Sequence, residues 1–219
     1  MQKRPMAFLA AGAALLAAAG CTLSELGDAA IYNPNFEAPI EVFMDPRAPS
    51  ISQQFRVSNK PVSDGGVSTM HEGIDVIARA GTPIIAAGAG TVSSSLFEPA
   101  YGHRVVIDHG VDATGRRTST VYMHLAKRLA TPGQRVERGE QIGTMGRTGF
   151  LAGGISHLHF EVHREIKGHG IMVQDPHKFW ALGVGRVTCF DPNIPLESTA
   201  FRITYPVPCR GIELAGIGQ

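Results

Sequence analysis

A chain of 219 residues can bury one good core, so a single domain with extensions is the expected organisation. Its formal net charge of +1, with no run of Lys and Arg, leaves no basis for a nucleic-acid partner. With 26 Gly and 14 Pro and few long helical patterns, the composition suits a turn-rich, mainly β protein. At the start, Lys3 and Arg4 precede an Ala- and Leu-rich stretch from Met6 to Ala19 that ends in Gly20-Cys21. A basic start, a short apolar middle and a small-residue processing site read as an export signal over residues 1–20. The stretch is too short to span a membrane comfortably.

Ala18-Ala19-Gly20-Cys21 is similar to a bacterial lipobox. That likeness implies Cys21 as the lipidated first residue of the mature chain, with several acyl chains giving a firm hold on a membrane. Ala18 stands where Leu is usual, so ordinary signal-peptidase cleavage is the alternative. Residues 21–50 carry Pro34, Pro39, Pro46 and Pro49 without a sustained period, as expected of a lipid-anchored tether.

From Ile51 onward short strands alternate with Gly turns. Pro83 to Ala87, Thr91-Val92 and Arg104 to Asp108 read as strands, and Gly115-Arg116-Arg117 as a hairpin tip. Thr120, Tyr122 and His124 alternate with Val121, Met123 and Leu125, which predicts a strand with the first three on its polar face. Gly133 to Gly149 is punctuated by glycines in the manner of tight turns. His157, His159, Glu161 and His163 alternate with Leu158, Phe160 and Val162, a period of two that places both histidines of His-x-His on one face of a half-buried strand. Asp175-Pro176 can cap and open a short helix. Many short strands with such punctuation argue a two-layer antiparallel β architecture.

His71-Glu72-Gly73-Ile74-Asp75 and His157-Leu158-His159 together offer imidazole, carboxylate and imidazole to one metal ion, with imidazoles to spare. Hydrolytic Zn²⁺ is typically held by three such groups. The helical His-Glu-x-x-His motif is excluded, because position 75 is Asp and Gly73 would weaken a helix interior. The even spacing of His71 and Asp75 puts both on one face of an extended segment.

These residues carry a resemblance. His71-x-x-x-Asp75, Tyr122-Met123-His124-Leu125 and His157-Leu158-His159-Phe160-Glu161 resemble the M23 (LytM/lysostaphin-type) zinc metallopeptidases. So do Gly81-Thr82-Pro83-Ile84, Gly88-Ala89-Gly90-Thr91-Val92, Tyr101-Gly102 and the run from Gly133 to Gly143. The resemblance covers about residues 51–165, departing at Gln54-Phe55-Arg56 and at Gly153-Gly154-Ile155-Ser156. It implies a duplicated-hybrid, lysostaphin-like β domain with a groove across one sheet, Zn²⁺ as cofactor, and hydrolysis of peptide bonds in peptidoglycan cross-links or stem peptides. Carried over by position, it implies His71, Asp75 and His159 as metal ligands and His124 and His157 as catalytic histidines.

Imidazole exchanges protons near neutral pH, so His124 and His157 can serve as base, acid or oxyanion donor; the sequence leaves the division open. Glu161 reads equally as a group orienting a ligand or as a solvated side chain. His103, His109, His163, His169 and His177 are assigned structural or exposed roles, and Tyr122 a packing one. A non-catalytic relative that binds peptidoglycan or activates another hydrolase is the alternative function, and the filled ligand positions speak against it. A lipoyl-type carrier is set aside, since no Lys sits at the Gly-rich hairpin turn. Export places the chain in the cell envelope, facing the periplasm; regulatory envelope partners are not specified. In that oxidising setting Cys189 and Cys209, in an appendage over 166–219, read as a disulfide, with two buried thiols as the alternative.

Overall fold

A computed structural model describes residues 40–56, 70–196 and 199–212. The export signal, Cys21 and the tether up to residue 39 lie outside the described residues. In chain order the strands are β1 (Ile51–Gln53), β2 (Ile74–Ile77), β3 (Pro83–Ile85), β4 (Gly90–Glu98), β5 (Gly102–Val111), β6 (Arg117–Leu125), β7 (Lys127–Arg128), β8 (Arg135–Val136), β9 (Gln141–Thr144), β10 (His157–Ile166) and β11 (Gly170–Gln174). Single 3-10 turns occupy Phe150–Ala152 and Pro176–Lys178. The second of these is the short helix expected at Pro176, and the Asp175 side chain accepts from the His177 N–H as its cap.

One sheet runs β1-β2-β10-β6-β5-β4-β8 with β11 beside β10, and a second runs β3-β9-β7. All pairings between these strands are antiparallel. The core lies between the layers: Ile84 and Ile142 of the small sheet pack with Ile74, Val105, Tyr122 and Phe160 of the large one. The alternation read in β10 produces this packing. Leu158, Phe160 and Val162 are fully buried, and Phe160 pairs with Ile74 on one side and Tyr122 on the other.

Alternation misleads in β6. Because Phe160 pairs with Tyr122 and His159 with Met123, Tyr122 lies on the core face and Met123 on the face of the histidines. The Tyr122 ring contacts Phe160, and its hydroxyl accepts from the Ala87 N–H and from Thr120 Oγ1. Burial raises the phenol to about 12, outweighing both bonds. Packing is therefore the role of Tyr122, but on the face opposite to the one expected.

Two segments expected outside the domain are packed into it. Trp180, Ile203, Tyr205 and Val207 of the 166–219 segment are fully buried within the common core. Thr204 N–H donates to Ala87 O (2.9 Å) and Ile85 N–H to Pro206 O (2.9 Å), so this stretch borders the small sheet. Residues 40–50, expected as tether, also dock: Phe43 N–H donates to Gly185 O and Tyr205 Oη to Pro49 O. Pro-rich segments without a period can be buried when neighbouring backbone satisfies their polar groups one by one. Periodicity cannot reveal that.

Cys189 and Cys209 form the disulfide, with Cα atoms 5.9 Å apart. Replacing both by Ser is expected to lower unfolding stability by roughly 3 kcal/mol, from restored freedom of the unfolded loop. Denaturant titration checks this, and an unchanged midpoint would show that the surrounding core alone holds the segment.

Candidate metal centre

The site is built where the 71–75 segment crosses β10. His71 pairs with Arg56 through two main-chain bonds, the chain bends at Glu72-Gly73, and β2 then pairs Asp75 with His159. The bend replaces the fully extended run expected from spacing. A Cβ at Gly73 would stand 2.4 Å from Phe160 O and 3.0 Å from His159 Nε2. Only glycine permits so close a crossing, and both ends of the segment thereby converge on His159.

Asp75 Oδ1 lies 2.8 Å from His159 Nδ1 and 3.1 Å from His71 Nε2, and one ligand atom from each of the three falls within 4.8 Å of the others. A tetrahedral zinc site with bonds of about 2.0–2.1 Å has ligand-to-ligand edges of roughly 3.3 Å, so the donor set and spacing fit zinc. His157 Nε2 is 3.8 Å from the same Asp75 oxygen. The His124 ring lies 4.8 Å from that of His157 and 6.2 Å from that of His159, centroid to centroid.

Each imidazole is oriented by its other nitrogen, as metal-site histidines generally are. Nδ1–H of His71 donates to Gln54 O, that of His124 to Thr148 O and that of His157 to Ile155 O, each at 2.9 Å. A carbonyl only accepts, so in the neutral forms Nε2 carries the lone pair. His159 is turned the other way: Nδ1 faces Asp75 and Nε2 bonds Glu161 Oε1 at 3.0 Å. Glu161 Oε2 in turn bonds His163 Nε2 at 2.6 Å. Of the two readings of Glu161, the structure selects the orienting one, for the side chain is buried.

The electrostatics follow from crowding. Burial alone would raise Asp75, but bonds from His159 and His71 prevail and hold its carboxyl below the usual range. Glu161 opposes the same burial with His159 and His163 and sits at about 2. Burial would lower His159, yet Asp75 and Glu161 lift it to about 9. His124 is lowered to about 4, mainly by burial, against the raising effect of the Thr148 carbonyl.

His124 reaches this face by a backbone irregularity. Its φ is 63°, and the β5–β6 register shifts between the pairs His103–Leu125 and Val105–Tyr122. One extra residue on β6 makes a bulge, which turns His124 beside Met123 onto the histidine face and returns Leu125 to the core. A left-handed non-glycine residue costs about 1–2 kcal/mol, and such strain is concentrated at functional sites.

Among the other histidines, His109 bonds Ala89 O and Thr120 Oγ1. His177 accepts from Trp180 Nε1–H (2.8 Å) and bonds Gln54 Oε1 (2.7 Å). Both are structural, as expected, and burial lowers both to about 4. His163 is drawn nearer the site than expected, through Glu161. Gln54, Ile155 and Thr148 escaped the sequence because they act through main-chain carbonyls, which leave no mark in residue type.

Residues 69–173 match peptidase family M23. The peptidoglycan DD-endopeptidase ShyC of Vibrio cholerae is 43% identical over 91 residues, which are 42% of this chain and 19% of ShyC. An uncharacterized lipoprotein of Escherichia coli, YgeR, is 39% identical over 103 residues, 46% of this chain and 36% of YgeR. Among solved structures, a zinc-containing peptidase from Vibrio cholerae aligns with a TM-score of 0.45 at 34% identity, over 57% of this chain and 37% of that one. The chain spans about a fifth of the length of the curated relatives at the head of these matches, 20% and 19%. The residues that match peptidase family M23 contain His71, Asp75, His124, His157 and His159.

Proposed function

We propose that the protein is a zinc-dependent endopeptidase of the bacterial envelope that hydrolyses peptide bonds in peptidoglycan cross-links or stem peptides. The observation carrying this reading is the convergence of His71 Nε2, Asp75 Oδ1 and His159 Nδ1 beside two further imidazoles fixed through Nδ1. The three converging atoms would hold the metal. Bound zinc supplies Lewis acidity and lowers the pKa of water to about 7. His124, kept neutral near pH 7 by burial, can accept a proton at Nε2. His157 presents its own Nε2 on the same side, so the pair can take a proton from the attacking water and deliver one to the leaving amine. The substrate class is supported by relatives described as peptidoglycan DD-endopeptidases, whose similarity spans about two fifths of this chain. Incubating the protein with purified peptidoglycan, with and without Zn²⁺, and weighing the released muropeptides tests this. Absence of any zinc-dependent product would favour a non-catalytic, binding role instead.

Loading should be coupled to protons. Metal-free His159, raised from 6.5 to about 9, is protonated at pH 7, and a metal can use Nδ1 only after displacing that proton. Zinc binding at pH 7 is therefore expected to release about one proton from this group and to weaken as pH falls. In the metal-free protein the same raised pKa stabilises the fold fully below pH 6.5, and that contribution is lost as pH rises through about 9. Calorimetry in buffers of differing ionisation enthalpy measures the proton count; pH-independent binding between 6 and 8 would contradict it.

Membrane attachment through Cys21 belongs to the same proposal, supported by the lipobox-like sequence. Cys21→Ser is expected to move the protein from the membrane fraction to the soluble one. Recovery of the wild type without acyl chains would overturn the anchor.

A further inference from the structure

Every polar atom of His124 except Nε2 is bonded to one of two residues. Its N–H donates to Tyr101 O (3.0 Å), its carbonyl accepts from Thr148 N–H (3.4 Å), and its Nδ1–H donates to Thr148 O (2.9 Å). The Thr148 side chain closes the arrangement from both strands. Oγ1 donates to Leu125 O at 2.6 Å, immediately after the bulge on β6, and accepts from His103 N–H at 2.9 Å on β5. These are the two residues that re-enter register after the irregularity.

The crossing has no slack. A Cβ at Gly102 would stand 2.2 Å from Thr148 Oγ1 and 2.3 Å from its carbonyl carbon, and one at Gly149 2.2 Å from Gly102 N. The two glycines thus let Thr148 approach the β5 start closely enough for its hydroxyl to bond both strands, and those bonds hold its carbonyl at the imidazole it orients.

We infer that Thr148 is a positioning residue for His124: its hydroxyl ties β5 to β6 at the bulge, so that its carbonyl fixes His124 as the Nδ1–H form with Nε2 directed at the metal face. A valine has the same shape but neither donates nor accepts, leaving the His103 N–H and Leu125 C=O without the partner they share. The clamp then loosens and the ring regains freedom to rotate or exchange tautomers. A displacement of about 1 Å at a reacting group can cost on the order of 10²-fold in rate. This inference rests on the hydrolase reading for its kinetic consequence, but the geometry of the ring can be read without it.

The test uses the zinc-loaded full-length protein. In wild type, nitrogen NMR of the imidazoles should show His124 as a single Nδ1–H tautomer; a Nε2–H form there would overturn the inference outright. In Thr148→Val the tautomer signal is expected to become mixed, with zinc content unchanged, while kcat on peptidoglycan falls by roughly 10- to 100-fold and KM stays within about twofold. Thr148→Ser, which keeps the hydroxyl, should restore both signals. If Thr148→Val fails to fold, Thr148→Ala against Thr148→Ser carries the same comparison. Full kcat with an unchanged tautomer in the hydroxyl-less variant, or equal impairment in the Ser variant, would overturn the role. A wild type that shows the fixed tautomer yet cleaves nothing would instead count against the hydrolase reading and leave the positioning intact.

Discussion

His159→Ala is expected to lose its zinc, whereas His157→Ala keeps close to one equivalent and loses turnover, although the two residues stand one pleat apart on β10. The difference lies in which atoms face Asp75. His159 Nδ1 is 2.8 Å from the carboxylate, and its far nitrogen is locked to Glu161, so its removal leaves only His71 and Asp75, too few for a stable site. His157 Nε2 is farther out, at 3.8 Å, and is held from behind by Ile155 O. Losing a positioned acid–base group costs roughly 10²- to 10⁴-fold in rate. Elemental analysis beside a cross-link cleavage assay separates the two variants. Equal zinc loss in both would sink the division of roles, and full activity in either would sink the hydrolase reading.

The largest effect on stability is expected from Trp180→Ala. Trp180 is fully buried, and truncating a core Trp costs about 3–5 kcal/mol. The loss should also reach the metal. Trp180 Nε1–H donates to His177, His177 bonds the Gln54 side chain, and the Gln54 carbonyl receives Nδ1–H of His71. Zinc affinity should therefore fall along with the denaturation midpoint. By the same logic, a chain ending at Gln174, near the limit of the family match, should not fold cooperatively. A sharp unfolding transition in that truncated chain would show that residues 175–212 are dispensable.

The parts of this molecule that were legible in the sequence are those where side-chain type and period coincide. Leu158, Phe160 and Val162 alternate with His157, His159 and Glu161, and the strand formed with its faces as read. In β6 the identical argument placed His124 and Leu125 correctly but assigned Thr120 to Met123 to the wrong faces, because one left-handed residue, His124, shifts the period partway along and periodicity has no signature for a bulge. Of the small sheet only β3 was read, from Pro83-Ile84-Ile85, while β9 lies within the stretch read as tight turns and β7, two residues long, is too short to show a period. What could not be read was irregular burial: residues 40–50, 176–196 and 199–209 contribute to the core through scattered main-chain bonds rather than repeating patterns. Gly73 was noticed only as a poor helix residue, while its function is to let two backbones touch.

Strand β10 carries the histidines on one face and Leu158, Phe160 and Val162 on the other. A slip of one position against β2 or β6 would exchange these faces wholesale, thrusting three histidines and Glu161 into the hydrophobic interior and stranding aliphatic groups where the ligands belong. No such mispaired chain could assemble the three-ligand set. Metal stoichiometry in a preparation consequently doubles as a count of correctly registered molecules, so that sub-stoichiometric zinc after refolding in excess metal would report the misfolded fraction before any substrate is added.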